Sequence, residues 1–576
     1  MSGRLRRIGG GASAVVAARA PAGEATFLNA ARRERELAEL AAGGAVDVLV
    51  VGGGASGVGV ALDAATRGLS VALVERGDLA AGTSGASSKL IHGGLRYLAQ
   101  GDLAVAAECA RERALLMSVI APHLLEPLPQ VLPLLKGSSK AGAAALALGL
   151  RIGDLLRIWA RTSGRLLPAA RRIAPLQAQA LIPALAIGRL RGALLSYDAR
   201  LLDDARLVVA IARTAAAYGA RILTYCSAER LTGSGALVRE RISGDLLQLR
   251  AAHVVNATGV WASALAATAP LCPSKGSHLL VDAGALGHPR AMLTVPAAEH
   301  FGRVVFAVPR PEGPLLLGTT DQPYSGSLDH VPVERAEEDY LIETISQALA
   351  RPLERSALRG RYAGLRPLLD SGAAESADIS RRHRLLEDPA TGALSVLGGK
   401  LTTYRRMAEE ALDVICGRPG VAAVPSRTAR IPLVGAMQPG SGAHPAVVGQ
   451  RAPGSALEDQ GAAAARRLLE RYGSEAEEIA ALAQGRAQLL RPLAPGIPIM
   501  AVELIASLQR EGALCAEDVL ARRTRAGLID GWREPVEAAL AQLAPGLPAR
   551  IGEPGRPASA AVAAGAEEDA GAGESG

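Results

Sequence analysis

The sequence has few aromatic residues, few cysteines and no long apolar run, and each shortage excludes a class of protein. Aromatic residues make up 3% of the 576 residues, too few for the stacking surfaces of nucleic-acid-binding proteins, and no nucleic-acid-binding motif is present. The five cysteines form no CxxC pair, which argues against a disulfide framework or a zinc site and fits a reducing compartment. The longest apolar candidate, 141–150, is about half the length of a membrane-spanning helix. We therefore expect a soluble or peripheral protein that uses neither nucleic acid nor metal.

Lysine is also scarce: five of the 63 basic residues are lysine and the rest are arginine. Lys89, Lys275 and Lys400 each stand in a stretch rich in Gly, Ser or Thr. Where composition favours arginine so strongly, a lysine in such a stretch indicates a need for a compact ammonium group. The net charge of +7 favours binding of an anion, either a substrate or a lipid surface.

The best-defined pattern is a strand, turn, helix and strand over 46–75. Three glycines follow the first apolar strand at G-x-G-x-x-G spacing: Gly52, Gly54 and Gly57. The helix after them stops at Gly68, and a second apolar strand ends in Glu75, 18 residues beyond the third glycine. Such glycines allow a pyrophosphate to approach a helix N-terminus, and an acid in this place accepts from ribose hydroxyls. The pattern predicts a dinucleotide site; a glycine turn in some other α/β protein is the minority alternative.

A polar loop over 78–94 follows this unit. Its hydroxyl, basic and glycine residues are Thr83, Ser84, Ser87, Ser88, Lys89, His92, Gly93 and Gly94. Loops this polar in an apolar chain usually meet a ligand or solvent. Arg96 and Tyr97 then add a cation and a phenol beside the loop.

Two later turns are predicted to return to the cofactor. A strand near 253–256 ends in Ala257-Thr258-Gly259, a turn that closes over the cofactor in flavoproteins with this type of domain. A strand near 394–397 ends in two glycines and a helix that begins near Thr402, whose amides would hold an anion or a flavin carbonyl. Asp203 and Asp204 are interpreted as the start of a helix.

Five stretches stand in order along the chain: SSKLIHGGLRYL (87–98), KGSH (275–278), GTTD (318–321), YAGLRPLL (362–369) and GGKLTTYR (398–405). Together they resemble the FAD-dependent glycerol-3-phosphate dehydrogenases, the respiratory enzymes that do not use NAD, over about 27–545. The resemblance implies an α/β fold with a Rossmann-like FAD-binding domain of the D-amino-acid-oxidase type, an antiparallel-sheet substrate domain and a C-terminal helical domain. It implies oxidation of sn-glycerol 3-phosphate to dihydroxyacetone phosphate, with electrons passing from FAD to a quinone.

The expected domain boundaries follow changes in composition. We expect disordered tails over 1–26 and 546–576, the first with only a distant likeness to a targeting peptide. The FAD-binding domain is expected over 27–416, with the substrate domain formed by about 273–360 and parts of 100–200. A linker over 417–459 and a helical domain over 460–545 complete the prediction. We expect a cytoplasmic protein, peripheral on the inner face of the membrane, and leave a homodimer open.

A phosphate dianion requires several cations, and an arginine fork binds it with two hydrogen bonds. The resemblance implies a substrate site formed by Arg96, Tyr97, Thr320, Arg366, Arg381 and Lys400. It implies a cofactor site formed by Gly52, Gly53, Gly54, Ala55, Ser56, Gly57, Glu75, Arg76, Thr83, Ser84, Ser87, Ser88, Lys89, His92, Gly93, Ala257, Thr258, Gly259, Gly399, Lys400, Leu401 and Thr402. We expect His278 to accept the proton of the substrate hydroxyl and His92 to orient it or face the flavin. Lys400 could instead lower the pKa of the alcohol, and Arg366 lies among the catalytic candidates.

Three alternatives stay open. A glycerol-3-phosphate oxidase would share the fold and substrate and pass its electrons to oxygen. An amine or amino-acid oxidase is a more distant alternative, because an amino acid needs one arginine for its carboxylate rather than a cluster of cations. The third is a degenerate copy that binds FAD without catalysis.

Overall fold

A computed structural model describes residues 19–94, 102–137, 139–266, 271–297, 303–311, 313–369, 382–437 and 462–551. The helices are α1 Ala30–Ala41, α2 Ala55–Thr66, α3 Leu103–Leu115, α4 Lys140–Trp159, α5 Pro175–Leu181, α6 Asp204–Ala217, α7 Ala262–Leu265, α8 Arg335–Ser346, α9 Tyr404–Cys416, α10 Ala462–Tyr472, α11 Ala476–Ala481, α12 Ala501–Gln509, α13 Ala516–Asp518 and α14 Arg533–Leu543. The strands are β1 Ala45–Val51, β2 Val71–Val74, β3 Leu90–Ile91, β4 Leu125–Leu135, β5 Arg171–Ile173, β6 Leu190–Leu201, β7 Arg221–Leu223, β8 Cys226–Thr232, β9 Gly235–Glu240, β10 Leu246–Asn256, β11 Leu271–Val281, β12 Met292–Pro296, β13 Val304–Val308, β14 Leu315–Gly318, β15 Gln322–Pro323, β16 Leu358–Leu369, β17 Arg384–Glu387, β18 Leu394–Leu397, β19 Pro492–Ala494 and β20 Ile497–Met500.

The first sheet confirms the predicted βαβ unit. Its order is β17-β18-β10-β1-β2-β7, and β1 runs parallel to both β2 and β10. All four residues of β2 are buried, as expected for a strand covered on both faces. Helices α2, α6 and α9 pack on one face, while α1 and the β8–β9 hairpin cover the other. The glycine-rich turn therefore lies at the carboxyl edge of a fully covered parallel sheet.

The second sheet forms the predicted antiparallel domain. Its main order is β15-β11-β14-β13-β12-β4-β6-β3, with β16 added on β11 and β5 on β6. Among the described strand pairs of this second sheet, β4 and β12 are parallel and the others are antiparallel. Strands β3, β4 and β6 come from the first half of the chain, so this sheet is assembled from two distant segments. Helices α5 and α8 bury its back face.

Helix α4 lies on the second sheet with one side only. Leu150 is buried against Leu132 and Leu194, whereas Leu148 and Leu155 on the outward side are 60% and 65% exposed. Ile158 and Trp159 extend this exposed apolar side, at 59% and 60%. Within the part of the chain that the structure describes, no helix has both the length and the apolar character that crossing a membrane requires.

The C-terminal domain is helical, as predicted, and also contains the hairpin β19–β20. Two buried ion pairs join it to α6: Arg206 with Glu511 at 2.8 Å, and Arg213 with Glu475 at 2.7 Å. Because both partners of each pair are removed from water, these contacts depend on close docking of the two domains.

Two predicted boundaries differ from the structure. Residues 24–26, assigned to a disordered tail, form a short 3₁₀ helix in which Thr26 is fully buried and accepts from Arg213. In the predicted linker, Leu433 is fully buried and its amide donates to the carbonyl of Ile120. A hydrogen bond to buried Thr26 and the apolar burial of Leu433 thus hold the two segments against the first domain. Of the expected tails and linker, the parts over 1–18, 438–459 and 552–576 lie outside the described residues.

Candidate active site

The turn between β1 and α2 is pressed against the turn after β10. Gly52 has a φ of +112°, and a Cβ there would lie 2.6 Å from the carbonyl oxygen of Ala257. A Cβ on Gly57 would lie 1.9 Å from the carbonyl oxygen of Gly52. Gly52 therefore requires glycine for both packing and conformation, and Gly57, inside α2, for packing alone. The predicted Ala257-Thr258-Gly259 turn lies beside the glycine-rich turn.

Glu75 lies directly beyond β2, next to that turn. Its carboxylate accepts from the amides of Gly53 at 2.6 Å and Gly77 at 2.8 Å. Burial raises the pKa of the Glu75 carboxyl, whereas the two amide donors act to lower it. This geometry fixes the carboxylate at the cleft, where ribose hydroxyls could donate to it.

A single cleft of about 1660 Å³ joins the two sheets. It is lined by most of the predicted cofactor residues: Gly52, Gly54, Ala55, Ser56, Glu75, Arg76, Thr83, Ser84, Ser87, Ser88, His92, Ala257, Thr258, Gly259, Gly399, Lys400, Leu401 and Thr402. His278, Thr320 and Arg366 line the same cleft from the second sheet. Three other predicted residues, Arg96, Tyr97 and Arg381, lie outside the described residues.

The loop between the two sheets is held by its hydroxyl groups. Ser84 Oγ accepts from the amide of Ala55 at the start of α2, at 2.9 Å. Thr83 Oγ1 donates to the carbonyl of Leu365 in β16, at 2.7 Å. The loop thus ties the glycine-rich turn to the second sheet.

Lys89 is placed differently from the prediction. Its side chain is buried away from the cleft, and its ammonium lies 2.9 Å from Asp204. Burial lowers the pKa of Lys89 to about 8, although Asp204 acts to raise it. Asp203 caps α6 as expected, but Asp204 has this additional role as the buried partner of Lys89. The sequence pattern had indicated a ligand contact because the loop around Lys89 is polar.

Three predicted glycines are close to the cleft without lining it. Gly53 donates to Glu75 and Gly57 packs under the turn. Gly93 donates to Asp198, and a Cβ there would lie 2.3 Å from the guanidinium of Arg113. These glycines support the backbone around the cleft and do not form its walls.

His278 is buried at the junction of the two sheets. Its Nε2 lies 2.9 Å from Ser88 Oγ, and its ring stacks on Tyr362 with centroids 4.8 Å apart. Burial lowers the pKa of His278 to about 3, and the charges of Arg366 and Lys89 act in the same direction. The imidazole is therefore neutral near pH 7.

His92, by contrast, has a side chain that is 55% exposed at the cleft, 3.6 Å from Asp198.

Arg366 extends from β16 toward the end of β14. Its guanidinium donates to Asp321 at 3.1 Å and to the carbonyl of Thr320 at 3.1 Å. Asp321 in turn accepts from Ser274 at 2.6 Å. These contacts hold the fork in one orientation, with the side chain 22% exposed at the cleft.

Thr320 and Lys275 contact the acids of α8. Thr320 Oγ1 accepts from the amide of Ser277 and donates to Glu337 at 3.1 Å. Lys275 lies 2.8 Å from Glu337 and 3.1 Å from Glu334. The hydroxyl of Thr320 therefore has two partners within the protein, and its carbonyl already accepts from Arg366.

Lys400 stands after Gly399 and before the 3₁₀ turn Leu401–Thr403, which leads into α9. Its ammonium donates to the buried thiol of Cys109 at 3.2 Å. Burial raises the pKa of Cys109, although Lys400 acts to lower it. The ammonium is thus held at the wall of the cleft by its contact with Cys109.

Several contacts could not be found from the spacing of residues. Tyr362 belongs to the stretch YAGLRPLL, but its stacking on His278 depends on the pairing of β11 with β16. Arg76 lies 4.3 Å from the ring of Trp261, across the cleft edge. Such pairs are distant in sequence, so only tertiary packing brings them together.

The cleft fits a flavin dinucleotide. The glycine-rich turn and Glu75 suit its adenosine diphosphate half, and residues of the loop over 83–92 and of the turn at Gly399 line the same cleft. When bound, FAD accepts a hydride from carbon. His278, Arg366 and Lys400 line the same cleft, so a neutral imidazole and two cationic side chains are present beside the cofactor turn.

Comparison with known proteins agrees with this description. Residues 47–405 match the family model "FAD dependent oxidoreductase", and residues 426–546 match the "C-terminal domain of alpha-glycerophosphate oxidase". The fold and cleft thus define an FAD-dependent oxidoreductase of the D-amino-acid-oxidase type, with FAD as its cofactor. Glycerol-3-phosphate dehydrogenase 1 of Mycobacterium tuberculosis (strain ATCC 25618 / H37Rv) is 45% identical over 516 residues, covering 89% of this chain and 97% of that protein. The chain belongs to the family of FAD-dependent glycerol-3-phosphate dehydrogenases.

Other relatives agree. Glycerol-3-phosphate dehydrogenase of Synechocystis sp. (strain ATCC 27184 / PCC 6803 / Kazusa) is 33% identical, covering 84% of this chain and 89% of that protein. The X-ray structure of glycerol-3-phosphate dehydrogenase from Bacillus halodurans complexed with FAD has a TM-score of 0.69 at 26% identity, covering 89% and 93% of the two chains. L-alpha-glycerophosphate oxidase from Mycoplasma pneumoniae with FAD bound has a TM-score of 0.52 at 17% identity, covering 68% and 99%, and shares the fold.

Proposed function

We propose that this protein oxidises sn-glycerol 3-phosphate to dihydroxyacetone phosphate with FAD and passes the electrons to a quinone. The observation that carries the proposal is that His278, Arg366 and Lys400 line one cleft with the dinucleotide turn. The names of relatives at 45% and 33% identity support the substrate.

Arg366 is proposed to bind the substrate phosphate. Its guanidinium is planar, permanently charged and already oriented by Asp321 and Thr320, so little side-chain entropy is lost on binding. Lys400 adds a second positive charge, and we keep Arg96, Arg381, Tyr97 and Thr320 as proposed substrate contacts.

His278 is proposed to take the hydroxyl proton as hydride leaves the same carbon. A neutral imidazole with a hydroxyl partner, Ser88, at one nitrogen has the form that a general base requires. The burial that lowers its pKa also makes it a weak base in the free protein. Lys400 therefore assists by stabilising the developing alkoxide, and His92 serves as a flavin-side group.

The position and surface of helix α4 favour a quinone, rather than oxygen, as the electron acceptor. Leu146 and Leu150 on its inner side line the cleft, while its outer side exposes Leu148, Leu155 and Trp159. The segment 136–172 contains eight basic residues and one acid, Asp154. A helix with an exposed apolar side and basic neighbours is typical of attachment to an anionic lipid surface. A lipid-soluble acceptor would then reach the cleft along α4, on the cytoplasmic face of the membrane.

Anaerobic mixing with glycerol 3-phosphate tests the reaction. The flavin absorbance near 450 nm should bleach in the wild type, and Arg366→Ala should need at least about tenfold more substrate for half of the maximal rate, because a charged hydrogen bond is lost. Arg359→Ala is the matched control, since Arg359 is an arginine of the same strand that pairs with Asp282. No bleaching of the wild type would indicate the degenerate copy, and unchanged kinetics of Arg366→Ala would contradict the phosphate assignment.

The electron acceptor is tested by the product. With a quinone the enzyme should turn over without forming hydrogen peroxide. Stoichiometric peroxide formed in air without quinone would favour the oxidase.

Docking of helix α4 on a membrane is tested by flotation. Vesicles that contain anionic phospholipid should carry the protein upward, and the double substitution Leu155→Glu with Trp159→Glu should abolish this. Leu246→Glu, at a leucine 48% exposed on the first domain, is the control. Equal flotation of both variants would contradict docking through α4.

A further inference from the structure

Arg525 in the C-terminal domain reaches into the first domain. It is 4% exposed and has a φ of +66°, a left-handed backbone that is uncommon for a residue with a side chain. Its guanidinium donates to the carbonyls of Ala521 and Gly85 and lies 3.3 Å from Asp204. One side chain thus joins its own domain to two elements of the neighbouring domain.

Asp204 gathers the residues of the cleft loop. It accepts from both the amide and the hydroxyl of Ser87, at 2.9 and 2.7 Å, and from Lys89 at 2.9 Å. Burial acts to raise the pKa of the Asp204 carboxyl, but Lys89 and Arg525 hold it well below its usual range. The carboxylate therefore stays charged and keeps the loop attached to α6.

Ser88 lies between these two anchored residues and faces the cleft. Its hydroxyl is 2.9 Å from Nε2 of His278. Tyr362 adds a further connection, because its hydroxyl donates to the carbonyl of Ser87 while its ring stacks on His278. The position of Ser88 relative to His278 consequently depends on the attachment of Ser87 and Lys89 to Asp204.

We propose that Arg525 is a positioning residue through which the C-terminal domain fixes the loop 83–89 and, with it, the Ser88–His278 contact. Arg525 acts at two points of this loop, directly at Gly85 and through Asp204 at Ser87 and Lys89. The C-terminal domain is on this account a part of the active-site framework. Only the consequence for turnover rests on the proposed function; the ordering of the loop does not.

Arg525→Gly tests this proposal in the full-length holoenzyme. Glycine accepts the left-handed backbone without strain, so the substitution removes the arginine side chain without straining the backbone. Hydrogen exchange of peptides that cover 83–91 should become about tenfold faster, because the loop opens locally more often. Guanidinium at millimolar concentration should restore the slow exchange, as it would occupy the vacated site. Flavin reduction should slow and recover in parallel.

Glu475→Gln is the control. It removes an equally buried ion pair between the same two domains, with Arg213, and touches nothing in the loop 83–89. Fast exchange in 83–91 for Arg525→Gly alone, reversed by guanidinium, supports the proposal. Equal exchange in the two variants, or no rescue by guanidinium, overturns it.

If Arg525→Gly does not fold, Arg525→Lys replaces it. This variant should give an exchange rate between those of the wild type and a protein without the side chain, because lysine keeps the charge but not the fork. Exchange at the wild-type rate in Arg525→Lys also overturns the proposal.

Discussion

The imidazole of His278 stacks on the ring of Tyr362, with 4.8 Å between centroids and 15° between planes. The two residues are directly opposite in the pairing of β11 with β16. Because Tyr362 also donates to Ser87 at 2.8 Å, it links the second sheet to the loop that carries Ser88. The orientation of the proposed base is therefore set by a neighbouring strand as well as by its own.

Removing the Tyr362 hydroxyl and removing its ring should have different effects. Tyr362→Phe loses one hydrogen bond and should lower the free energy of unfolding by about 1 kcal/mol. Tyr362→Leu also loses the stacked ring and should slow anaerobic flavin reduction at least about tenfold, because His278 becomes free to rotate. Urea unfolding and stopped-flow absorbance measure the two effects. Tyr218→Phe, at a tyrosine 38% exposed, is the control; equal reduction rates for Tyr362→Leu and the wild type would contradict the positioning role.

Lys89 should matter for stability more than for cofactor affinity. Lys89→Met leaves Asp204 with only part of its compensating charge and should lower the free energy of unfolding by about 3 kcal/mol. The FAD content of the purified protein should stay at one per chain, because the ammonium points to Asp204 and away from the cleft. Lys400→Met, which alters the cleft wall, is the comparison. Loss of FAD from Lys89→Met with unchanged stability would restore the original prediction for this residue.

Lys89 and Tyr362 indicate how much of the site can be predicted from the sequence. Gly52, Gly57 and Glu75 were found because a dinucleotide turn is a local arrangement, with all its parts within about 25 residues of chain. The contacts of Lys89 with Asp204 and of His278 with Tyr362 span 115 and 84 residues and depend on tertiary packing. A polar residue in a cofactor loop has the same appearance in sequence whether it faces the ligand or a buried acid. Spacing therefore predicts which residues belong to the candidate site, while the structure separates the residues that line the cleft from those that support it.

Stability should fall in acid because of buried histidines. Burial lowers the pKa of His123 to about 3 from an ordinary 6.5, so below pH 6.5 the unfolded chain binds a proton that the folded protein does not. The free energy of unfolding should fall by about 1.4 kcal/mol per pH unit for this residue between those values. His123→Phe, which does not titrate, should show a correspondingly smaller slope in urea unfolding from pH 7 to pH 4. Identical slopes for His123→Phe and the wild type would contradict the assignment.

Gly57 should be intolerant of even one methyl group. A Cβ there would lie 1.9 Å from the carbonyl oxygen of Gly52, so Gly57→Ala must push α2 away from the turn that receives the pyrophosphate. We expect purified Gly57→Ala to carry less than about a tenth of the wild-type FAD, read from absorbance near 450 nm against 280 nm, with near-normal far-ultraviolet circular dichroism. Gly149→Ala adds a methyl group where no atom lies within 4 Å, in the exposed helix α4, and should keep its FAD while gaining about 0.5–1 kcal/mol of stability. Full FAD content in Gly57→Ala would mean that the turn can open without losing the cofactor. The close contact with Gly52 would then not explain why residue 57 is glycine.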